Sequence, residues 1–133
     1  MKIRGVHHIA IKTRQLEAVE SFYRLVLGLE ETTRQHDEAG LRSIWFKVDS
    51  TVILMVERAP ATSPDPTAQE REGRGFAVVA FAVEASAREL WRSWLESKGH
   101  PIVRETQYTL YVHDPDGNLV GLSSWPTRAE TRA

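Results

Sequence analysis

One pattern is written twice in this chain: residues 6–57 lie over residues 76–124 as a strand, a helix and three further strands. In the first copy "VHHIAIKT" (6–13) alternates, with Ile9 and Ile11 on one face and His8, Ala10 and Lys12 on the other, as a half-buried strand requires. "RQLEAVESFYRLVLG" (14–28) then sets Leu16, Val19, Phe22, Tyr23, Val26 and Leu27 at helical spacing and ends at Gly28, a residue suited to the left-handed position after a helix.

The second copy opens with "FAVVAFAVE" (76–84), where Val79, Phe81 and Val83 form a large side and Val78, Ala80 and Ala82 a small one. A helix over 87–98 follows, with Ser86 and Glu89 at capping-box spacing, Leu90, Trp91, Trp94 and Leu95 turned inward, and a stop at Gly99. Hairpins close both copies: 42–48 with 51–57 across the two-residue turn "DS" (49–50), and 108–113 with 118–124 across "DPDG" (114–117). Module one therefore runs 3–57 and module two 76–125. The Pro- and charge-rich stretch 58–75 reads as a linker or flap, and 126–133 as a frayed tail.

At 133 residues the chain suits one domain, and its 41% hydrophobic and 26% charged content is that of a globular protein. Seventeen basic against eighteen acidic residues leave a net charge of −1, which supplies no field to gather nucleic acid or an anionic membrane. The absence of cysteine excludes disulfides, thiolate metal sites and a Cys nucleophile. No apolar run is long enough for a signal peptide or a membrane span, so a cytoplasmic location is expected.

Two sheets, each with a helix on one face, leave their other faces to be covered. The fold class expected is α+β, two paired βαβββ modules forming a curved mixed sheet around a cleft. By strand parity the cleft is lined by His8, Ala10 and Lys12, by Ser43, Trp45 and Lys47, and by Val52, Leu54 and Val56. Module two adds Val78, Ala80 and Ala82, then Thr109, Tyr111 and His113, then Leu119, Gly121 and Ser123.

"HHIAIKTRQLEAVESFYRLVLGLE" (7–30) and "YVHDPDGNLVGL" (111–122) resemble the vicinal oxygen chelate superfamily of glyoxalases, bleomycin-resistance proteins, fosfomycin-resistance thiol transferases and extradiol dioxygenases. The resemblance implies a fold more than an activity, because that scaffold carries many reactions. Its metal-dependent members hold a divalent ion with a His on the first strand, a Glu or His on the fourth, a His on the fifth and a Glu on the eighth. Here those positions fall on His8, Leu54, Val78 and Gly121, and only His8 offers a donor. Glu57 has the opposite parity to Leu54 and would need a bulge to join His8.

The resemblance thus implies a binding protein without resident metal or other cofactor, of the drug-sequestering bleomycin-resistance kind, and a homodimer. Its ligand is expected to be small and largely apolar or aromatic, gripped by His8, Ala10, Trp45, Leu54, Val78, Ala80, Tyr111, His113 and Gly121. Ala10, Ala80 and Ala82 leave room for something planar. Trp45 offers a stacking surface and Tyr111 a ring with a hydroxyl, while Lys12 and Lys47 stand at the rim. Two lysines and no carboxylate in this set disfavour a cationic drug. The alternative is a metal-dependent lyase, isomerase or dioxygenase built on His8 with His113 or Glu57, in which His8, His113 and Tyr111 converge. A regulatory module acting through protein contacts is the third reading; it would present a large exposed apolar surface.

Overall fold

Each repeat folds into a helix against a four-stranded mixed sheet, and the two sheets have the same strand order. A computed structural model describes residues 1–65 and 73–126, which divide into two compact units at Asp65/Pro66. Much of the expected 58–75 flap, and the tail beyond Pro126, lie outside the described residues.

In the first unit β1 (His8–Thr13) leads into α1 (Leu16–Ser21), which widens into a further turn over 22–26. There the Leu27 N–H bonds the Phe22 carbonyl five residues back, at 3.0 Å. The wider turn lets two consecutive aromatics, Phe22 and Tyr23, both point inward, 1% and 2% exposed and edge to face. Gly28, at φ +73°, ends the helix as its position requires. β2 (Glu30–Asp37), β3 (Gly40–Lys47) and β4 (Ile53–Arg58) complete the sheet in the order β1-β4-β3-β2, with β1 and β4 parallel. Val19, Ile44, Phe46, Leu54 and Val56 form the core between helix and sheet.

The second unit repeats this plan with β5 (Val79–Ala82), α2 (Arg88–Ser97), β6 (Arg104–Glu105), β7 (Thr109–His113) and β8 (Leu119–Ser123) in the order β5-β8-β7-β6. Leu95, Leu110, Val112, Val120 and Leu122 are its core. The helix differs from expectation at two points. A short tight turn at Ala85–Ala87 starts it, and the Ser86/Glu89 capping box does not form. Leu90 and Trp94 lie outward, 74% and 41% exposed, because Trp91 and Leu95 already fill the inward stripe and their neighbours sit about 100° round the helix. At its end Gly99, φ +83°, carries the chain out while the His100 N–H bonds the Leu95 carbonyl at 2.9 Å.

The outer side of α2 is tied to β6 by ion pairs. Glu105 accepts from Arg92 at 2.7 Å and from Arg88 at 2.9 Å, and these hydrogen bonds hold its carboxyl below the usual carboxylate range.

The two hairpins decide which residues share a face. Asp114 N–H bonds the Asn118 carbonyl at 2.9 Å and Gly117 takes φ +84°, giving a three-residue loop at 115–117. The first hairpin has the same length, since the Val48 N–H bonds the Val52 carbonyl at 3.0 Å. Its loop, 49–51, is shaped by the Asp49 carboxylate, which accepts from the Thr51 and Val52 N–H groups at 2.6 and 2.9 Å. Those bonds hold the Asp49 pKa below its ordinary value. The expected two-residue "DS" turn is one residue too short. That one residue moves Leu54 and Val56 to the helix side and brings Ile53, Met55 and Glu57 to the face of Ser43, Trp45 and Lys47.

Candidate functional site

Strand pairing lines up one row of residues across the face of each sheet that is turned away from its helix. In the first unit the row is Ala10, Met55, Trp45, Thr33, and in the second it is Ala80, Gly121, Tyr111, Arg104. By the internal repeat the members correspond one to one.

In the first unit His8 stands opposite Ile53, Lys12 opposite Glu57, and Ser43 and Lys47 flank Trp45. Leu54, expected on this face, is instead buried on the other, 1% exposed, and Val56 with it. Glu57, expected to need a bulge, shares the His8 face in regular pairing, two same-face positions away at the level of Lys12. The Trp45 indole is held in place: its Nε1–H donates to Ser43 Oγ at 3.2 Å, and that hydroxyl donates to Gln35 Oε1 at 3.2 Å. Ser43 is buried, 1% exposed, so its hydroxyl is held within the protein. The exposed His8 ring meets His7 with the two Nδ1 atoms 3.0 Å apart, one donating and the other accepting.

In the second unit the expected set is brought together: Ala80, Ala82, Thr109, Tyr111, His113, Leu119, Gly121 and Ser123 share one face. Val78 lies just before β5 and is 39% exposed. Of the corner expected from His8, His113 and Tyr111, Tyr111 and His113 share one face of the second unit and His8 belongs to the first unit. A side chain at Gly121 would be crowded, and its neighbours would have to give by a few tenths of an ångström. A β-carbon there would come 3.1 Å from Thr109 Cγ2, 3.3 Å from Ala80 Cβ and 3.4 Å from Tyr111 Cε1. The tyrosine ring thus leans over the glycine, and the Arg104 guanidinium lies 4.2 Å from the centre of that ring. Arg104 escaped the sequence reading because β6 is two residues long and has no alternation to place it on a face. A groove of about 610 Å³ opens at the end of β5, lined by Ala82, Glu84, Trp91, Ser124 and Pro126 among others, so Trp91 is a wall residue as well as part of the helix packing.

The sequence model of the Glyoxalase/Bleomycin resistance protein/Dioxygenase superfamily matches residues 5–122. The chain belongs to that superfamily. Solved members of this architecture align along nearly the whole chain. A fosfomycin resistance protein from Listeria monocytogenes, complexed with Mn(II) and sulfate, has a TM-score of 0.72 at 18% identity, covering 99% of this chain and 100% of its own. A lactoylglutathione lyase from Agrobacterium tumefaciens gives 0.67 at 23% identity over 92% and 95%. A glyoxalase/dioxygenase from Nostoc punctiforme gives 0.70 at 22% over 90% and 89%. At these identities the likeness is one of fold. No curated protein matches the chain.

Superfamily membership makes the metal question one of donors. The corrected register puts Met55, not Leu54, at the fourth-strand position, because Met55 stands in the row where Gly121 stands in the second unit. The four positions are then His8, Met55, Val78 and Gly121, with one imidazole and no carboxylate. Among the described residues no group of three or more His, Asp or Glu side chains gathers in a way that could hold an ion. These residues do not fit the metal set of the metal-dependent members. Nor is any helix among the described residues long and apolar enough to cross a membrane.

Proposed function

We propose that this chain is a small-molecule binding protein of the superfamily that works without a resident metal, retaining its ligand by affinity in the manner of a sequestering resistance protein. The observation that carries the reading is the missing donor at Gly121: where a carboxylate ligand would project there is no side chain, and the Thr109 methyl and Ala80 crowd the place of its β-carbon at 3.1 and 3.3 Å. Trp45, fixed through Ser43, and Tyr111, set over Gly121, supply the aromatic walls that favour a planar, largely apolar ligand. The balance of charge on these two faces, Lys12, Lys47 and Arg104 against the carboxylates Glu30 and Glu57, offers no acidic surface to a cationic drug. A homodimer in the cytoplasm is part of the same proposal.

The alternative is a metal-dependent enzyme, as the lactoylglutathione lyase is named and as the Mn(II)-bound fosfomycin resistance protein exemplifies. The retained His8 is what favours it. Elemental mass spectrometry on untagged protein purified without chelator separates the two. The proposed function expects metal well below one ion per chain. A stoichiometric transition metal that disappears in His8→Ala would replace it with the enzyme reading.

A further inference from the structure

The row Ala80, Gly121, Tyr111, Arg104 grades from small to aromatic to cationic across 80–121–111–104, one residue from each strand of the second sheet. Its last member differs from six of the other nine arginines among the described residues. Arg14, Arg24, Arg34, Arg58, Arg88 and Arg92 each meet a carboxylate. Glu105, next in sequence to Arg104, points to the other face and takes Arg88 and Arg92. Arg104 is exposed and is laid against the Tyr111 ring, and among the described residues no carboxylate pairs with it. Stacking fixes the plane of a guanidinium while leaving its five N–H groups, which lie at the edge of that plane, free to donate.

A flat cation held beside an aromatic wall and a floor of two residues with little or no side chain has a defined complement. We propose that Arg104 is the specificity-determining residue of this face, reading a carboxylate on a planar aromatic ligand whose ring lies along Tyr111 and over Ala80 and Gly121. The inference rests on the ligand-binding reading given above and narrows it to aromatic carboxylates. A two-pronged hydrogen bond to a carboxylate is stronger than a neutral one, and a neutral amide of the same shape cannot reproduce it.

The test uses 2-naphthoate and 2-naphthamide, equal in shape and different in charge, titrated into the full chain and followed by calorimetry or ligand-observed NMR. Wild type is expected to prefer the acid by about tenfold, as a charge-assisted bond predicts. Arg104→Gln should bring the acid down to the level of the amide, Arg104→Lys should restore part of the preference, and added salt should weaken the acid alone. Near-ultraviolet circular dichroism checks that the variants keep their aromatic packing. Equal binding of both probes, or a preference that survives Arg104→Gln, overturns the role of Arg104 and leaves the binding reading standing. If wild type binds neither probe at millimolar concentration, the face is no aromatic-ligand site and both readings fall.

Discussion

The two open sheet faces are built on one plan and furnished differently. Along corresponding rows the first unit carries Ala10, Met55, Trp45 and Thr33 and the second Ala80, Gly121, Tyr111 and Arg104. Each has an alanine at the outer strand and an aromatic at the third position, so both offer an aromatic wall beside a small residue. They part at the second position. A methionine covers the sheet in the first unit, whereas a glycine in the second lets Tyr111 lean across it and Arg104 follow. The lesson is that removing one side chain has changed what its two neighbours in the row can do: the ring edge comes to 3.4 Å from where a β-carbon would stand, and the ring in turn becomes a platform for a cation.

The largest effect that could break this comparison concerns the register on which it rests. Leu54→Glu should cost on the order of 4 kcal/mol or more, because a carboxyl would enter a core where Leu54 is 1% exposed. Met55→Glu, one residue along and facing outward, should cost less than about 1 kcal/mol. Urea denaturation of both variants reads the difference, and the reverse order would put Leu54 back on the open face.

A middle-sized effect sharpens the contrast at the second row position. Gly121→Glu should destabilise the second unit by roughly 1–3 kcal/mol through overpacking against Thr109, Ala80 and Tyr111. Combining it with Tyr111→Ala should cost less than the sum of the two single changes, since the ring is one of the groups in the way. Strict additivity in thermal melts would mean that the ring does not close the site.

The smallest effect is one of pH. The Asp37, Asp49 and Glu105 carboxyls are all held below their ordinary pKa values, Asp37 chiefly by the Arg58 hydrogen bond, Asp49 by the Thr51 and Val52 N–H groups, and Glu105 by Arg92 and Arg88. A lowered folded-state pKa means that the unfolded chain takes up protons first as pH falls. The stabilisation is complete above the unfolded carboxylate range, near pH 4, and is lost progressively as pH drops through the folded values. Glu105→Gln should flatten that acid limb slightly in a denaturation series, and because the group is exposed the change is expected to be small and to shrink further in salt. An unchanged limb would leave the link between α2 and β6 without an electrostatic part.

The sequence by itself determined the repeat, the helix stops at Gly28 and Gly99, and the open face of the second unit, because alternation of side chains and glycine geometry are local properties. Pro115 and Gly117 announced the second hairpin; its loop is 115–117, one residue shorter than the expected 114–117, while Leu119, Gly121 and Ser123 lie on the expected face. The first hairpin has the same loop length with no glycine to mark it; its third loop residue is held by hydrogen bonds to Asp49, and only the folded turn reveals that the register has moved by one. Since side chains alternate with a period of two, that single residue exchanged Leu54 for Met55 and brought Glu57 to the face of His8. Tertiary structure alone likewise decided that Leu90 and Trp94 lie outward, and that Arg104 comes to rest on Tyr111. A two-residue strand has no pattern of its own, and its face is set only by the partner with which it pairs.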